Sequence, residues 1–264
     1  MKKEIRIFQN DKFVQITTVD ERWYAQASKD EKTGLPIYVY VPSVTWIADH
    51  YPKGVGFYKW LANKGWDEAE AIKVAAGDKG SKVHLAISDL LEGKTIAMNA
   101  LYINNSTGLL EELTLAEYDC LISFVAWYKK IKPKIIAKDL VVWNKEENYA
   151  GTLDFIIEIG ERKIIVDIKT SQYVWPSHIL QLSAYKWAME NPNLYEMAIL
   201  QVGYQKNHDK YKLTEIDDRY DLFLAAKQIW ANEVGGQKPL QRDYPLSLQL
   251  TETPKQEAKD VSKL

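Results

Sequence analysis

The segment Gly151-Thr-Leu-Asp-Phe-Ile-Ile-Glu-Ile-Gly-Glu-Arg-Lys-Ile-Ile-Val-Asp-Ile-Lys169 leaves this chain the least conformational freedom. Two apolar-rich runs, 152–159 and 162–169, flank Gly160-Glu161, and a two-residue loop with glycine first suits a tight hairpin turn. That register pairs Ile159 with Arg162 and, followed back along the strands, sets Asp154 directly opposite Asp167 on one face. Lys169, two residues past Asp167, projects to the same face. Like charges opposite one another in a sheet are unfavourable. The flanking Phe155, Ile156, Ile157, Ile164, Ile165, Val166 and Ile168 imply burial, which raises that cost. A compensating cation resolves the conflict, and Mg²⁺ or Mn²⁺ suits an oxygen-rich site. The plainer alternative is a buried sheet with Asp154 at a turn and an Asp167–Lys169 pair at its edge.

A chain of 264 residues can bury a substantial core, and 46% hydrophobic with 27% charged residues is ordinary for a soluble globular protein. No apolar run approaches a membrane span, and the Lys-rich start lacks the apolar stretch of a signal peptide. The expected setting is therefore cytoplasmic, in a bacterial or phage-infected cell. One cysteine, Cys120, excludes a disulfide framework and a cysteine-ligated iron–sulfur cluster within the monomer. The net charge of −2 does not advertise a nucleic-acid binder. Nine Trp and 16 Tyr are the compositional anomaly, to be read as core residues or as platforms for stacking bases.

Alternating runs with turn signals predict a β-meander in the first 42 residues, an N-terminal β appendage. Residues 43–236 are the expected main domain. Ser43 is the expected N-cap of a short helix, and Asp67 with Glu70 resembles a capping box opening a helix that runs to Leu91. On it Val83, Ile87, Leu90 and Leu91 form an apolar stripe, with His84 on the neighbouring face beside Ser81 and Ser88. A helix over 115–130 is expected to bury Ile122, Phe124, Val125 and Tyr128. Its basic end, Lys129-Lys-Ile-Lys-Pro-Lys, complements the helix dipole. Pro176 opens a helix to Met189 on which His178, Gln181 and Tyr185 share a face. Residues 237–264 form a polar tail, expected to be flexible. The order of helices and strands around the hairpin is that of an α/β fold with a central mixed sheet.

Four segments carry a family resemblance: Gly80-Ser-Lys-Val-His84, Tyr149-Ala-Gly-Thr-Leu-Asp154, Val166-Asp-Ile-Lys-Thr170 and Gln181-Leu-Ser-Ala-Tyr185. In this order and spacing, over roughly 75–205, the chain resembles the RecB-like branch of the PD-(D/E)XK nuclease superfamily. Leu153 stands where the family name has proline, and Asp167 is the allowed alternative to glutamate. The resemblance implies a restriction-endonuclease-like core and a metal-dependent phosphodiesterase. Asp154, Asp167 and the Ile168 carbonyl would be metal ligands, with His84 the additional ligand of this branch. Lys169 would orient or deprotonate the attacking water, and Gln181 and Tyr185 would order the site or touch DNA. Glu147 is a further candidate carboxylate, and His178 a candidate substrate contact.

The resulting expectation is a Mg²⁺- or Mn²⁺-dependent deoxyribonuclease, an exonuclease of recombination, repair or phage DNA metabolism acting on DNA single strands or ends. Its aromatic N-terminal part, with Trp23 and Trp46, would gate the strand. The near-neutral charge leaves room for a recombination partner protein that supplies grip on DNA. The rivals are a structure-specific or flap endonuclease with the same site, a sequence-specific transposon or restriction enzyme, and a non-catalytic nucleic-acid-binding protein.

Overall fold

The structure, a computed structural model, describes residues 4–8, 13–17, 21–29, 36–236 and 238–240. The tail expected over 237–264 lies, apart from 238–240, outside the described residues. The chain begins with β1 (Glu4–Phe8), β2 (Phe13–Thr17), β3 (Arg22–Lys29) and β4 (Pro36–Pro42), which form an antiparallel sheet in sequence order. Then come α1 (Val44–Asp49), α2 (Val55–Lys64), α3 (Trp66–Leu91), the small hairpin β5 (Leu101–Ile103) and β6 (Leu110–Glu112), and α4 (Leu115–Ile131). The second half runs β7 (Lys134–Asn144), β8 (Tyr149–Ile159), β9 (Arg162–Lys169), α5 (Pro176–Trp187), β10 (Tyr195–Val202), β11 (Tyr211–Glu215) and α6 (Tyr220–Val234).

This is an α/β protein. Its central sheet has the order β11-β10-β9-β8-β7 and is mixed, since β9 and β10 are parallel and the other neighbours antiparallel. The parallel pair needs a crossover, and α5 supplies it. Burial on both faces explains why β8, β9 and β10 read as nearly continuous apolar runs rather than alternating ones. One face holds Phe155, Ile157, Ile164, Val166 and Ile168 against Val83, Ala86 and Ile87 of α3 and Cys120, Leu121, Phe124 and Trp127 of α4. The other holds Leu153, Ile156, Ile165 and Ile199 against Leu180, Ala184 and Tyr185 of α5, with Phe223 and Trp230 of α6.

The N-terminal sheet joins this second core through Ile16 and Trp23. It is tied to β8 by a bridge from Ser43 to Ala150 and by a 2.9 Å hydrogen bond between the Tyr24 and Thr152 hydroxyls. Trp23 is 1% exposed and meets Trp46 and Trp230 edge-on, with centroids 5.3 and 5.9 Å away. Trp23 is therefore a core residue that no DNA strand reaches, and Trp46 lies against it. This corrects the expected role of Trp23 as a gate, because burying a large ring outweighs leaving it open to a ligand, while Trp46 is only half-buried.

Ser43 caps α1 as expected, accepting from Trp46 N. The capping box expected at Asp67 and Glu70 is not formed, since α3 already starts at Trp66 behind Gly65, whose φ of 76° carries the chain directly out of α2. Asp67 lies in the first turn, where its charge still complements the dipole. A capping box does form on α4, between Thr114 and Glu117. That helix buries the 120, 121, 124 and 127 positions, so of the expected stripe Phe124 is buried and Val125 half-buried, while Ile122 at 53% and Tyr128 at 36% exposed face outward.

Candidate active site

The β8–β9 register is the expected one, from Ile159↔Arg162 back to Phe155↔Val166. The ladder stops there, one pair short of Asp154 and Asp167. The Asp154–Asp167 pair expected from the register lies one step beyond the last pair of the ladder, and the two carboxylates still act on each other electrostatically. Asp154 Oδ2 accepts a 2.6 Å hydrogen bond from the Ile168 N–H, so a side chain stands in for a strand partner. That donor offsets part of the cost of burying this carboxylate beside a second anion.

Around Ile168 four elements converge. His84 of α3 sits one position after Val83, which anchors the helix on the sheet. Its Nδ1 is 3.2 Å from Asp154 Oδ1 and its Nε2 is 3.0 Å from the Ile168 carbonyl oxygen. Both neighbours are acceptors, so an imidazole satisfying both must carry two N–H groups and a positive charge. On β9, Lys169 Nζ is 2.7 Å from Asp167 Oδ2 and donates to Gln181 Oε1 at 3.1 Å. Gln181 Nε2 in turn donates to the Tyr185 hydroxyl at 2.8 Å, the four-residue spacing on α5 bringing the two together. His84, Asp154, Ile168, Asp167, Lys169, Gln181 and Tyr185 thus form one polar cluster between α3 and α5.

The two carboxyls are electrostatically unlike. Burial works to raise Asp154, but the His84 imidazolium, Lys169 and the Ile168 N–H together hold it below the usual carboxylate range. Asp167 is 2% exposed; burial pushes it up, the Asp154 charge adds to this, and Lys169 only partly opposes it. For His84, burial lowers the pKa but the Asp154 carboxylate outweighs it, and the net shift is upward. Asp167 Oδ2 is buried without an aligned hydrogen bond; its short contact to Lys169 is an ion pair off the donor direction.

Gly151, within the Tyr149–Asp154 segment, packs against this cluster. A Cβ built there would overlap Cε1 of the Tyr185 ring. Glycine leaves room for the ring against β8, where its hydroxyl meets Gln181. We expect Gly151→Ala to cost about 1–3 kcal/mol through overpacking. A thermal melt reads this as a fall of several degrees, and an unchanged melting temperature contradicts the packing account.

His178 lies half-buried on α5, one turn before Gln181. Its Nδ1 accepts from Trp175 N at 3.3 Å, and burial, then Lys169 and Lys53, lowers its pKa to about 3, so it stays neutral. Glu147 is not brought to the cluster. It pairs with Lys227 at 2.6 Å beyond the start of β8, and five strand residues, about 16 Å, separate Tyr149 from Asp154.

Among the described residues, no group of three or more His, Cys, Asp and Glu side chains is set out to hold a metal ion. The donor chemistry nevertheless fits a hard divalent cation: two carboxylates, one carbonyl oxygen and an imidazole, one carboxylate oxygen lacking an aligned donor. Here the imidazolium and the lysine neutralise the acids, and a cation on the same oxygens would displace the His84 proton. No helix of the described residues is long and apolar enough to cross a membrane.

No protein-family model matches the chain, and no curated protein matches it. Among solved structures, the crystal structure of an alkaline exonuclease (LHK-Exo) from Laribacter hongkongensis is similar, with a TM-score of 0.37 and 9% sequence identity. The match covers 73% of this chain and 85% of that one.

Proposed function

We propose that this protein is a divalent-metal-dependent deoxyribonuclease, with Asp154, Asp167 and Lys169 as its catalytic centre. The supporting observation is the convergence of both carboxylates, the lysine and His84 around the Ile168 carbonyl, from the four segments that resemble the RecB-like PD-(D/E)XK pattern. Phosphodiester hydrolysis needs an activated water and positive charge against the phosphate. Mg²⁺ or Mn²⁺ held by Asp154, Asp167 and the Ile168 carbonyl, with His84 beside it, would supply both. Lys169, held by Asp167 on one side and Gln181 on the other, presents N–H donors to a phosphate oxygen or to the water. Tyr185 fixes the Gln181 amide so that its oxygen, not its nitrogen, faces Lys169.

The finer reading is an exonuclease working from DNA ends in recombination, repair or phage DNA metabolism, with a partner protein supplying further grip. End-labelled linear single- and double-stranded DNA should lose nucleotides in Mg²⁺ or Mn²⁺ and remain intact in chelator, while a circular single strand survives. Cutting of the circle moves the assignment to a structure-specific endonuclease. The self-neutralised acids favour one rival, a non-catalytic nucleic-acid-binding protein. Binding of the same DNA with no metal-dependent hydrolysis establishes that rival instead.

A further inference from the structure

Immediately beyond Lys169, the loop over 170–175 holds two large rings in solvent. Tyr173 is 57% and Trp175 53% exposed, with ring centroids 5.7 Å apart and planes inclined by 43°. A single exposed aromatic needs no explanation, but a contiguous pair beside a polar cluster does.

The loop that carries them is held on both sides. Gln201 of β10, itself 2% exposed, donates from Nε2 to the Ser171 carbonyl at 2.8 Å. Gln172 donates to the Gly203 carbonyl and accepts from Gln205 N, each at 2.9 Å. Ser171 Oγ donates to the Tyr173 carbonyl at 2.7 Å, and Trp175 N donates to His178 Nδ1 at 3.3 Å. Buried and backbone-directed glutamines of this kind fix a loop that bears rings outward, and such preorganisation lowers the entropy cost of a stacking contact. A cation completes the patch: Lys206 Nζ lies 4.0 Å from the centroid of the Tyr173 ring.

From Lys169 to Tyr173 is four residues, a reach of at most about 14 Å. The rings therefore lie within the span of a few nucleotides from a phosphate at Lys169. We propose that Tyr173 and Trp175 are the stacking platform for bases of a single strand, with Lys206 against its phosphate backbone. Every base has a π face, so the platform accepts any sequence, and bases paired in a duplex do not offer theirs. This rests on the nuclease reading and names the form of substrate that site takes.

The test is binding in chelator at fixed salt, by fluorescence anisotropy, with a labelled oligothymidylate and a labelled oligomer of equal phosphate count built from abasic sugars. Tyr173→Ala and Trp175→Ala should each weaken the thymidylate about tenfold, as loss of one stacked base does, and leave the abasic oligomer unchanged. Tyr173→Phe and Trp175→Phe keep a ring and should retain most of the affinity, whereas Lys206→Gln should weaken both oligomers alike. Wild-type protein that holds the two oligomers equally, or alanine variants that bind thymidylate as wild type does, overturns the platform. If wild-type protein nonetheless hydrolyses DNA in Mg²⁺, the nuclease reading survives that failure. If it neither binds nor hydrolyses DNA, both readings fall together.

Discussion

Asp167→Asn should reduce Mg²⁺-dependent release of nucleotides by at least about 10³-fold, because it removes one of the two carboxylates and the partner that holds Lys169. The same variant should fold as well as the parent or better. Asp167 is buried and its pKa is raised in the fold, so at pH 8 the ionised carboxylate opposes folding. For an acid raised in this way, the favourable contribution is complete below the unfolded pKa and is lost as pH rises through the folded one. Asparagine has no such dependence. Melting in chelator should therefore show Asp167→Asn equal to or above wild type at pH 8, the difference closing toward pH 4. Loss of activity with retained or raised stability marks a functional carboxylate rather than a structural one. A variant that keeps activity within a few-fold of wild type removes Asp167 from the chemistry, and one that unfolds at pH 8 makes it structural.

How far the site could be read in advance differs from residue to residue. The hairpin register followed from Gly160 at the turn and the apolar runs on either side, since turn type and strand pattern act locally. His84 was placed beside an apolar stripe and Gln181 with Tyr185 by their four-residue spacing, and it was the resemblance of their segments to a nuclease pattern that joined them to the hairpin. The bond from the Ile168 N–H to Asp154 was not legible, because the register counts positions along strands, whereas the outcome depended on which donor a carboxylate could find in three dimensions. The phase of α4 was legible only in part for a related reason: that helix has apolar residues nearly all round, and only the sheet decides which ones are buried. Trp23 looked available because its strand alternates, yet the ring is closed over by Trp46 and Trp230, which are distant in sequence. Gly151 could have been found from its place inside a strand, where glycine signals close approach of another group.

The Gly80-Ser-Lys-Val-His84 segment contains a second case, in which a charge invites a functional reading and the structure gives it another. Lys82 and Glu117 have side chains 4% exposed each, with Nζ and Oε1 2.9 Å apart, and Glu111 lies 3.6 Å away on the open side. Glu117 Oε2 also accepts the Thr114 N–H at 2.7 Å, so one carboxylate caps α4 and ties it to α3. Lys82→Ala leaves that carboxylate buried without its counter-charge and should cost about 3–5 kcal/mol. At roughly 2–4 °C per kcal/mol for a domain of this size, the melting temperature should fall by about 10 °C. Lys82→Met with Glu117→Gln should regain most of the loss. Methionine fills the space of the lysine stem, no buried charge remains, and the glutamine oxygen can still accept from Thr114. Replacing Glu117 by leucine instead should forfeit the cap, about 1 kcal/mol more. Because His84 is two residues from Lys82 on α3, the Met/Gln pair also separates scaffold from chemistry. If the lysine only fixes the helix, the double variant should hydrolyse DNA at the wild-type rate below its melting temperature. A stable but inactive double variant would place Lys82 among the groups that serve the phosphate.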